Sequence, residues 1–286
     1  MLMNNPIIMH INYCEQGQSL ERVCHVASAL GYDGVEFRRF KEIYGLDQKA
    51  YLETVAELKD RFGLSFTLFG GPELITHDDR ASRCEEEYFR FLEIADSLRL
   101  LSTVNMMTAK SEAPDVPVDL QHCDAHGYTV KDEAVWERSV SACRRIADAY
   151  PHVRFAFETH MFYVHDTAAS ARKLADAIDR PNFGINLDYG NALFYAKTEP
   201  LEEAIDIAGD RLFYTHFKSY QPLGLGTGLL LPTSLADGCI NHRRYAEKLK
   251  EVGFKGPIGI EAPRPGDREH FAAEDIAYIK PLIRDT

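Results

Sequence analysis

Along the chain, apolar runs of strand length alternate with amphipathic stretches of helical period, the mark of βα units feeding a parallel sheet. The runs Ile7–Tyr13, Gly34–Phe40, Ser65–Phe69, Thr103–Thr108, Arg154–His160, Gly184–Tyr189, Leu212–Lys218 and Pro257–Ala262 predict eight strands. Helices are predicted after them around Ser19–Leu30, Lys49–Phe62, Cys84–Leu98, Lys131–Ala149, Thr167–Ile178, Pro200–Ala208, His242–Val252 and Glu274–Ile283. Phe155-Ala156-Phe157 and Ile258-Gly259-Ile260 are apolar on consecutive positions, as expected of strands buried on both faces. Ser19 suits a helix start, Gly31 and Gly63 suit helix stops, and Asp132 and Glu133 suit a helix N-terminus. No Gly/Ser/Pro linker or low-complexity segment breaks the rhythm. The expectation is an α/β fold, a single (β/α)8 barrel forming one domain over residues 1–286.

The charge balance narrows the partners. The 286 residues carry 32 Lys+Arg against 44 Asp+Glu, a formal net charge of -12 with histidine neutral. Such a field repels phosphate backbones, and no basic run exceeds a pair such as Arg38-Arg39 or Arg243-Arg244, so no nucleic-acid partner is expected. No apolar span reaches 18 residues, and Met1 to Tyr13 lacks the basic flank and small-residue cleavage site of a signal peptide, so no membrane partner is expected either. The six cysteines are scattered without a Cys-x-x-Cys pair, which reads as free thiols in a cytoplasmic protein. His122, Cys123 and His126 share a polar segment, but no second half with zinc-ligand spacing follows.

In a barrel of this kind the chemistry sits at the C-terminal ends of the strands. Four residues there stand out: Glu158, Asp188, His216 and Glu261, ending predicted strands five to eight. Any one alone could simply finish a strand. Three carboxylates in one cavity, however, repel and lose hydration unless a cation is shared. With one imidazole they suit a divalent ion, manganese first, with magnesium, cobalt or zinc as alternatives. Two long connections, Lys110–Val130 and Tyr220–Asn241, follow strand ends on the same face and suit binding loops.

With these residues in view the chain resembles the xylose-isomerase-like TIM barrels, a group that includes ketose 3-epimerases, hydroxypyruvate isomerases, inosose dehydratases, C-glycoside deglycosidase catalytic subunits and endonuclease-IV-type enzymes. The marks are Gly31-Tyr32-Asp33-Gly34-Val35-Glu36, Phe157-Glu158-Thr159-His160, Asn186-Leu187-Asp188-Tyr189-Gly190-Asn191, His216-Phe217-Lys218, and Asp237-Gly238-Cys239-Ile240-Asn241 running through Gly253-Phe254 and Gly256 to Glu261. The resemblance implies that Glu158, Asp188, His216 and Glu261 are metal ligands. It also implies that Glu158 and Glu261 double as acid/base catalysts, removing and returning a proton beside a ketone through an enediolate. The implied protein is a cytoplasmic, metal-dependent isomerase or epimerase of carbohydrate metabolism acting on a keto sugar or polyol ketone. Assembly is expected as a homo-oligomer, or as a hetero-oligomer with a second subunit.

Two positions depart from the pattern. Asn191 stands where the epimerases usually carry a second histidine, and Ser219 where an aspartate often follows His-x-Lys. Asparagine can bind a sugar hydroxyl but is no base. The alternative is therefore a lyase that uses the same enolate for β-elimination, as a dehydratase or 3-keto-glycoside deglycosidase does; a metal-dependent endonuclease comes third. Substrate-binding candidates are His160, two residues past Glu158; Asn191; Glu36 and Arg38 at the end of strand two; His126 in the long fourth loop; and Arg264, with Asp267, beyond Glu261. Trp136 and His25, on amphipathic helices, read as core.

Overall fold

In the computed structural model, which describes residues 4–40, 44–70, 74, 81–108, 133–161, 163–195, 198–223 and 230–284, eight parallel strands close on themselves. They are β1 (Ile7–His10), β2 (Gly34–Arg38), β3 (Phe66–Gly70), β4 (Thr103–Met106), β5 (Arg154–Glu158), β6 (Phe183–Asp188), β7 (Leu212–Phe217) and, last in the chain, β10 (Ile258–Ile260). The seam is the pairing of Ile7, Ile8 and Met9 with Ile258, Gly259 and Ile260. Every residue of β1, β4, β6 and β7 is buried, because one face lines the barrel and the other lies under helices. The fold is thus a (β/α)8 TIM barrel.

The helices are α1 (Leu20–Leu30), α2 (Gln48–Arg61), α3 (Ala81–Ser97), α4 (Glu133–Ala149), α5 (Ala168–Ile178), α6 (Tyr189–Ala192), α7 (Leu201–Ala208), α8 (His242–Glu251) and α9 (Arg268–Arg284). Ser19 caps α1 by accepting from the Arg22 amide at 3.2 Å, and Gly31 ends it in the left-handed conformation, where only glycine is free of Cβ strain. Thr167 and Ser170 form a reciprocal capping box on α5.

Two of the boundaries that differ from expectation have a visible side-chain cause. Strand one stops at His10, because the His10 side chain accepts from the Asn12 amide at 3.2 Å and turns Ile11–Cys14 into a 3-10 helix. The last helix starts at Arg268, six residues early, where Asp267 accepts from the His270 amide at 3.1 Å; its first turn is too polar to show the apolar period. Two elements were not expected: the one-turn α6, and the antiparallel ribbon of β8 (Tyr220–Pro222) and β9 (Leu230–Pro232). His25 is exposed on α1 against the Phe62 ring rather than in the core, whereas Trp136 is partly buried. Among the described residues, Cys14, Cys24, Cys143 and Cys239 carry free thiols. None of the described helices is long and apolar enough to cross a membrane.

His242, at the start of α8, is wholly buried behind β7, with Nδ1 3.1 Å from the Leu235 carbonyl and its ring 5.0 Å from that of Phe217. Burial pulls its pKa from 6.5 down to about 4. The unfolded chain therefore takes up a proton between those two values while the folded chain does not, and stability falls as the pH drops through that window, by about 3 kcal/mol in all. Urea midpoints of the wild type are expected to decline more steeply between pH 6.5 and 4.5 than those of His242→Phe; equal slopes would count against this account.

Candidate metal centre

Each barrel strand turns every second residue inward. Ile8, Leu68, Ala156 and Tyr214 pack there with Phe213 as a small apolar plug. Two residues further along the same rows stand His10, Gly70, Glu158 and His216, so apolar filling gives way to a polar layer in one step. Glu36, Asn105 and Asn186, all buried, join that layer from β2, β4 and β6.

Glu36 organises the floor of this layer. Its Oε2 accepts from the Tyr214 hydroxyl at 2.6 Å and lies 2.8 Å from His216 Nε2, while Oε1 accepts from Asn105 at 3.0 Å. Burial opposes the Glu36 charge, but His216, His10 and the Tyr214 hydroxyl override it and pull the carboxyl down to about 2. An ionised carboxylate only accepts, so His216 carries a hydrogen on Nε2 and its Nδ1 faces the opposite way. The room for this arrangement comes from two glycines. A Cβ at Gly70 would stand 2.5 Å from Glu36 Oε1, and one at Gly259 would stand 2.1 Å from the Tyr214 hydroxyl.

His216 Nδ1 points at three carboxylates, 3.1 Å from Glu261 Oε2, 3.5 Å from Asp188 Oδ2 and 3.9 Å from Glu158 Oε1. One ligand atom of each of the four residues lies within 4.8 Å of the others. Each carboxylate is also held by an asparagine. Glu158 accepts from Asn105 at 2.7 Å and from Asn191 at 3.3 Å, Asp188 Oδ1 caps α6 through the Asn191 amide at 3.1 Å, and Glu261 Oε1 accepts from Asn12 at 3.1 Å. Asp188 Oδ2, His216 Nδ1 and Glu261 Oε2 are buried and make no well-aligned hydrogen bond, their close polar neighbours being one another and the Lys218 ammonium. Buried polar atoms are rarely left so. Three of them converging, two oxygens and one imidazole nitrogen, fit a divalent metal ion held by Glu158, Asp188, His216 and Glu261.

The Lys218 ammonium borders the cluster, 2.8 Å from Asp188 Oδ2 and 3.3 Å from Glu261 Oε2. Burial opposes its charge, but Asp188 and Glu261 keep its pKa well above the ordinary value. Burial likewise opposes protonation of His216, and Glu36, Asp188, Glu158 and Glu261 override it, holding the imidazole's pKa well above its usual range. Lys218, His10 and His216 outweigh burial at Glu261 and hold its carboxyl well below the carboxylate range.

Most of the other substrate-binding candidates are engaged by the protein itself. Asn191 is in the site, but its amide is spent on Glu158 Oε1 and the Thr159 carbonyl. Glu36 is wholly buried beneath His216. Arg38 pairs with Glu15 at 3.2 Å. Half-buried His160 has Nδ1 2.9 Å from the Met161 carbonyl. Arg264 is drawn to α9, 3.2 Å from Asp275 and 3.1 Å from Glu274, over the Phe271 ring. His126, with His122, Cys123 and the whole of the Lys110–Val130 connection, lies outside the described residues. Sequence reasoning passed over His10, Asn12, Asn105, Asn186, Tyr214, Lys218 and the fully buried His165, whose Nδ1 is 2.6 Å from the Glu158 carbonyl. A signal for several of these was present: Asn186 and Lys218 stand two residues from Asp188 and His216, and Asn105 interrupts an apolar strand.

The family model of the xylose isomerase-like TIM barrel matches residues 24–282. The chain belongs to that family. Among solved structures it is similar to the D-psicose 3-epimerase from Clostridium cellulolyticum H10 determined with D-tagatose, with 16% identity, a TM-score of 0.74, and coverage of 98% of this chain and 99% of that one. It is similar to a xylose isomerase-like TIM barrel protein from Mycobacterium smegmatis in complex with magnesium, with 18% identity, a TM-score of 0.75, and 98% and 97% coverage. It is also similar to the probable 3-DHS dehydratase AsbF from Bacillus anthracis, with 15% identity, a TM-score of 0.71, and 96% and 98% coverage. At these identities the likeness shows the fold alone. No curated protein matches the sequence.

Proposed function

We propose that this xylose isomerase-like barrel is a divalent-metal-dependent enzyme that removes and returns a proton beside the ketone of a small sugar or polyol ketone, as an isomerase or epimerase. The observation that carries the reading is the convergence of Glu158, Asp188, His216 and Glu261 on one point, with three of their buried atoms making no well-aligned hydrogen bond. A divalent ion bound there would supply Lewis acidity, polarising a carbonyl and so acidifying the adjacent C–H. Glu158 and Glu261 come from strands three apart in the barrel order, so the two carboxylates border the cavity from different sides. One takes the proton while the other returns it. Asn105, Asn191 and Asn12 orient them through amide donors, which fix a carboxylate without adding charge.

One observation favours the lyase as a second reading. The Asn191 amide is held by Glu158 and Thr159, so no imidazole at that position assists a second proton transfer, and β-elimination needs only one C–H abstraction plus a departing group. The similarity to a probable dehydratase accords with it. Elemental mass spectrometry of the purified chain, then exchange in D2O with a panel of ketoses and 3-keto-glucosides, tests both. The expected result is about one divalent ion per chain and deuterium at the carbon beside the carbonyl. A product of equal mass apart from deuterium marks an isomerase, and loss of water or an aglycone marks a lyase. Absence of metal after reconstitution, or metal without exchange across the panel, would overturn the reading.

A further inference from the structure

Lys218 has no part in the two-carboxylate reaction, yet the fold builds a place for it. It continues the inward row two residues beyond His216, and its side chain is only 9% exposed. Its ammonium faces Asp188 Oδ2 and Glu261 Oε2 at 2.8 and 3.3 Å, the two oxygens that lie nearest His216 Nδ1. The stem passes over Gly190, where a Cβ would stand 2.3 Å from Lys218 Cγ. A glycine in α6 therefore makes room for this one lysine.

Three carboxylates brought together without a cation repel one another. An ammonium between two of them offsets that repulsion. The same ammonium repels a divalent ion that uses the same oxygens, and a buried site magnifies the effect. We propose that Lys218 is the resident counter-ion of this centre: it holds Asp188 and Glu261 in their ligand positions before metal arrives, and it weakens the hold on the ion so that metal exchanges with solution. The inference rests on the metal-site reading above. Entry of the ion requires the ammonium to leave at least one carboxylate oxygen, a movement the flexible lysine tip permits while its stem stays against Gly190.

Lys218→Met keeps the length and removes the charge. In EDTA its melting temperature is expected to fall by about 5 °C relative to wild type, through loss of the counter-ion. In a Mn2+ titration followed by the EPR signal of the free ion, its Kd is expected to tighten by about tenfold or more. Gly190→Ala, which displaces the stem and leaves the charge in the chain, is expected to tighten Mn2+ binding in the same direction. A folded Lys218→Met variant, judged by near-UV circular dichroism, with unchanged or weaker Mn2+ binding would overturn the inference. Should Lys218→Met fail to fold, the same result in Gly190→Ala overturns it. Binding by the variants but not by wild type would uphold the counter-ion and defeat native metal dependence; binding by none of them would defeat both.

Discussion

Glu158→Gln and Glu261→Gln are each expected to lower kcat by about a thousandfold or more while leaving a folded barrel. Each substitution removes a proton acceptor and one anionic ligand at once, and the two losses separate by titration. At limiting Mn2+ both variants lose activity through both routes. At saturating Mn2+ the ligand deficit is made good by mass action and the acid/base deficit persists, so kcat stays low although the metal is bound. The surroundings allow the fold to survive. Glutamine at 158 can still accept from Asn105, and glutamine at 261 can still accept from Asn12, the donors that now hold the two carboxylates. The second position of each amide is less comfortable, because its NH2 meets Asn191 at one site and Lys218 at the other, so a small fall in melting temperature accompanies the loss. Steady-state kinetics, Mn2+ binding and solvent deuterium exchange on the same preparations check the point. Activity within tenfold of wild type at saturating metal would leave the two glutamates as ligands only and remove the acid/base assignment.

The barrel was legible because its signal is long and repeated. Eight apolar runs separated by amphipathic stretches leave few topologies, and the four rim residues followed from the rule that strand ends carry the chemistry. What escaped the sequence were features set by side chains bonding to local backbone or across the barrel. The His10 ring accepts from the Asn12 backbone amide and shortens strand one, and that same turn swings the Asn12 side-chain amide onto Glu261. Nothing in the apolar run Ile7–Tyr13 announces it. Arg264 looked like a substrate contact because it lies just past Glu261, but the buried Asp275 of α9 claims it, along with the Tyr13 hydroxyl at 2.7 Å and the Leu235 amide at 3.0 Å. A partner more than ten residues away decides its direction. Glu36 was expected to meet substrate at the end of strand two, and its place beneath His216 could not be read from one strand. Only barrel closure sets β2 beneath the histidine of β7.

That role makes Glu36 the second position at which a single change is expected to cost most. It touches no convergence-point atom, and its effect passes through His216, whose Nε2 it holds at 2.8 Å. Glu36→Leu removes the acceptor and leaves His216 Nε2, the Tyr214 hydroxyl and the Asn105 amide facing an apolar side chain in a fully buried layer. The imidazole is then free to rotate or to place its hydrogen on Nδ1, where it blocks a metal ion. Loss of such a supporting carboxylate costs about 10- to 100-fold in metal affinity, and the Mn2+ Kd of Glu36→Leu is expected to weaken by that amount. Glu36→Gln keeps one oxygen that can accept from Nε2, so it is expected to fall between wild type and the leucine variant. Tyr214→Phe, which removes only a second donor to the same oxygen, is expected to weaken binding least. Nitrogen NMR of His216 supplies a readout that a merely loosened core would not move: the Nε2–H tautomer persists in Glu36→Gln and is lost in Glu36→Leu. If the leucine variant binds Mn2+ as wild type does, the aim of Nδ1 is set by the carboxylates around it and not by the residue beneath it. If glutamine is as poor as leucine, the charge of Glu36 matters more than its geometry as an acceptor, because only the charge distinguishes a carboxylate oxygen from an amide oxygen at the same place.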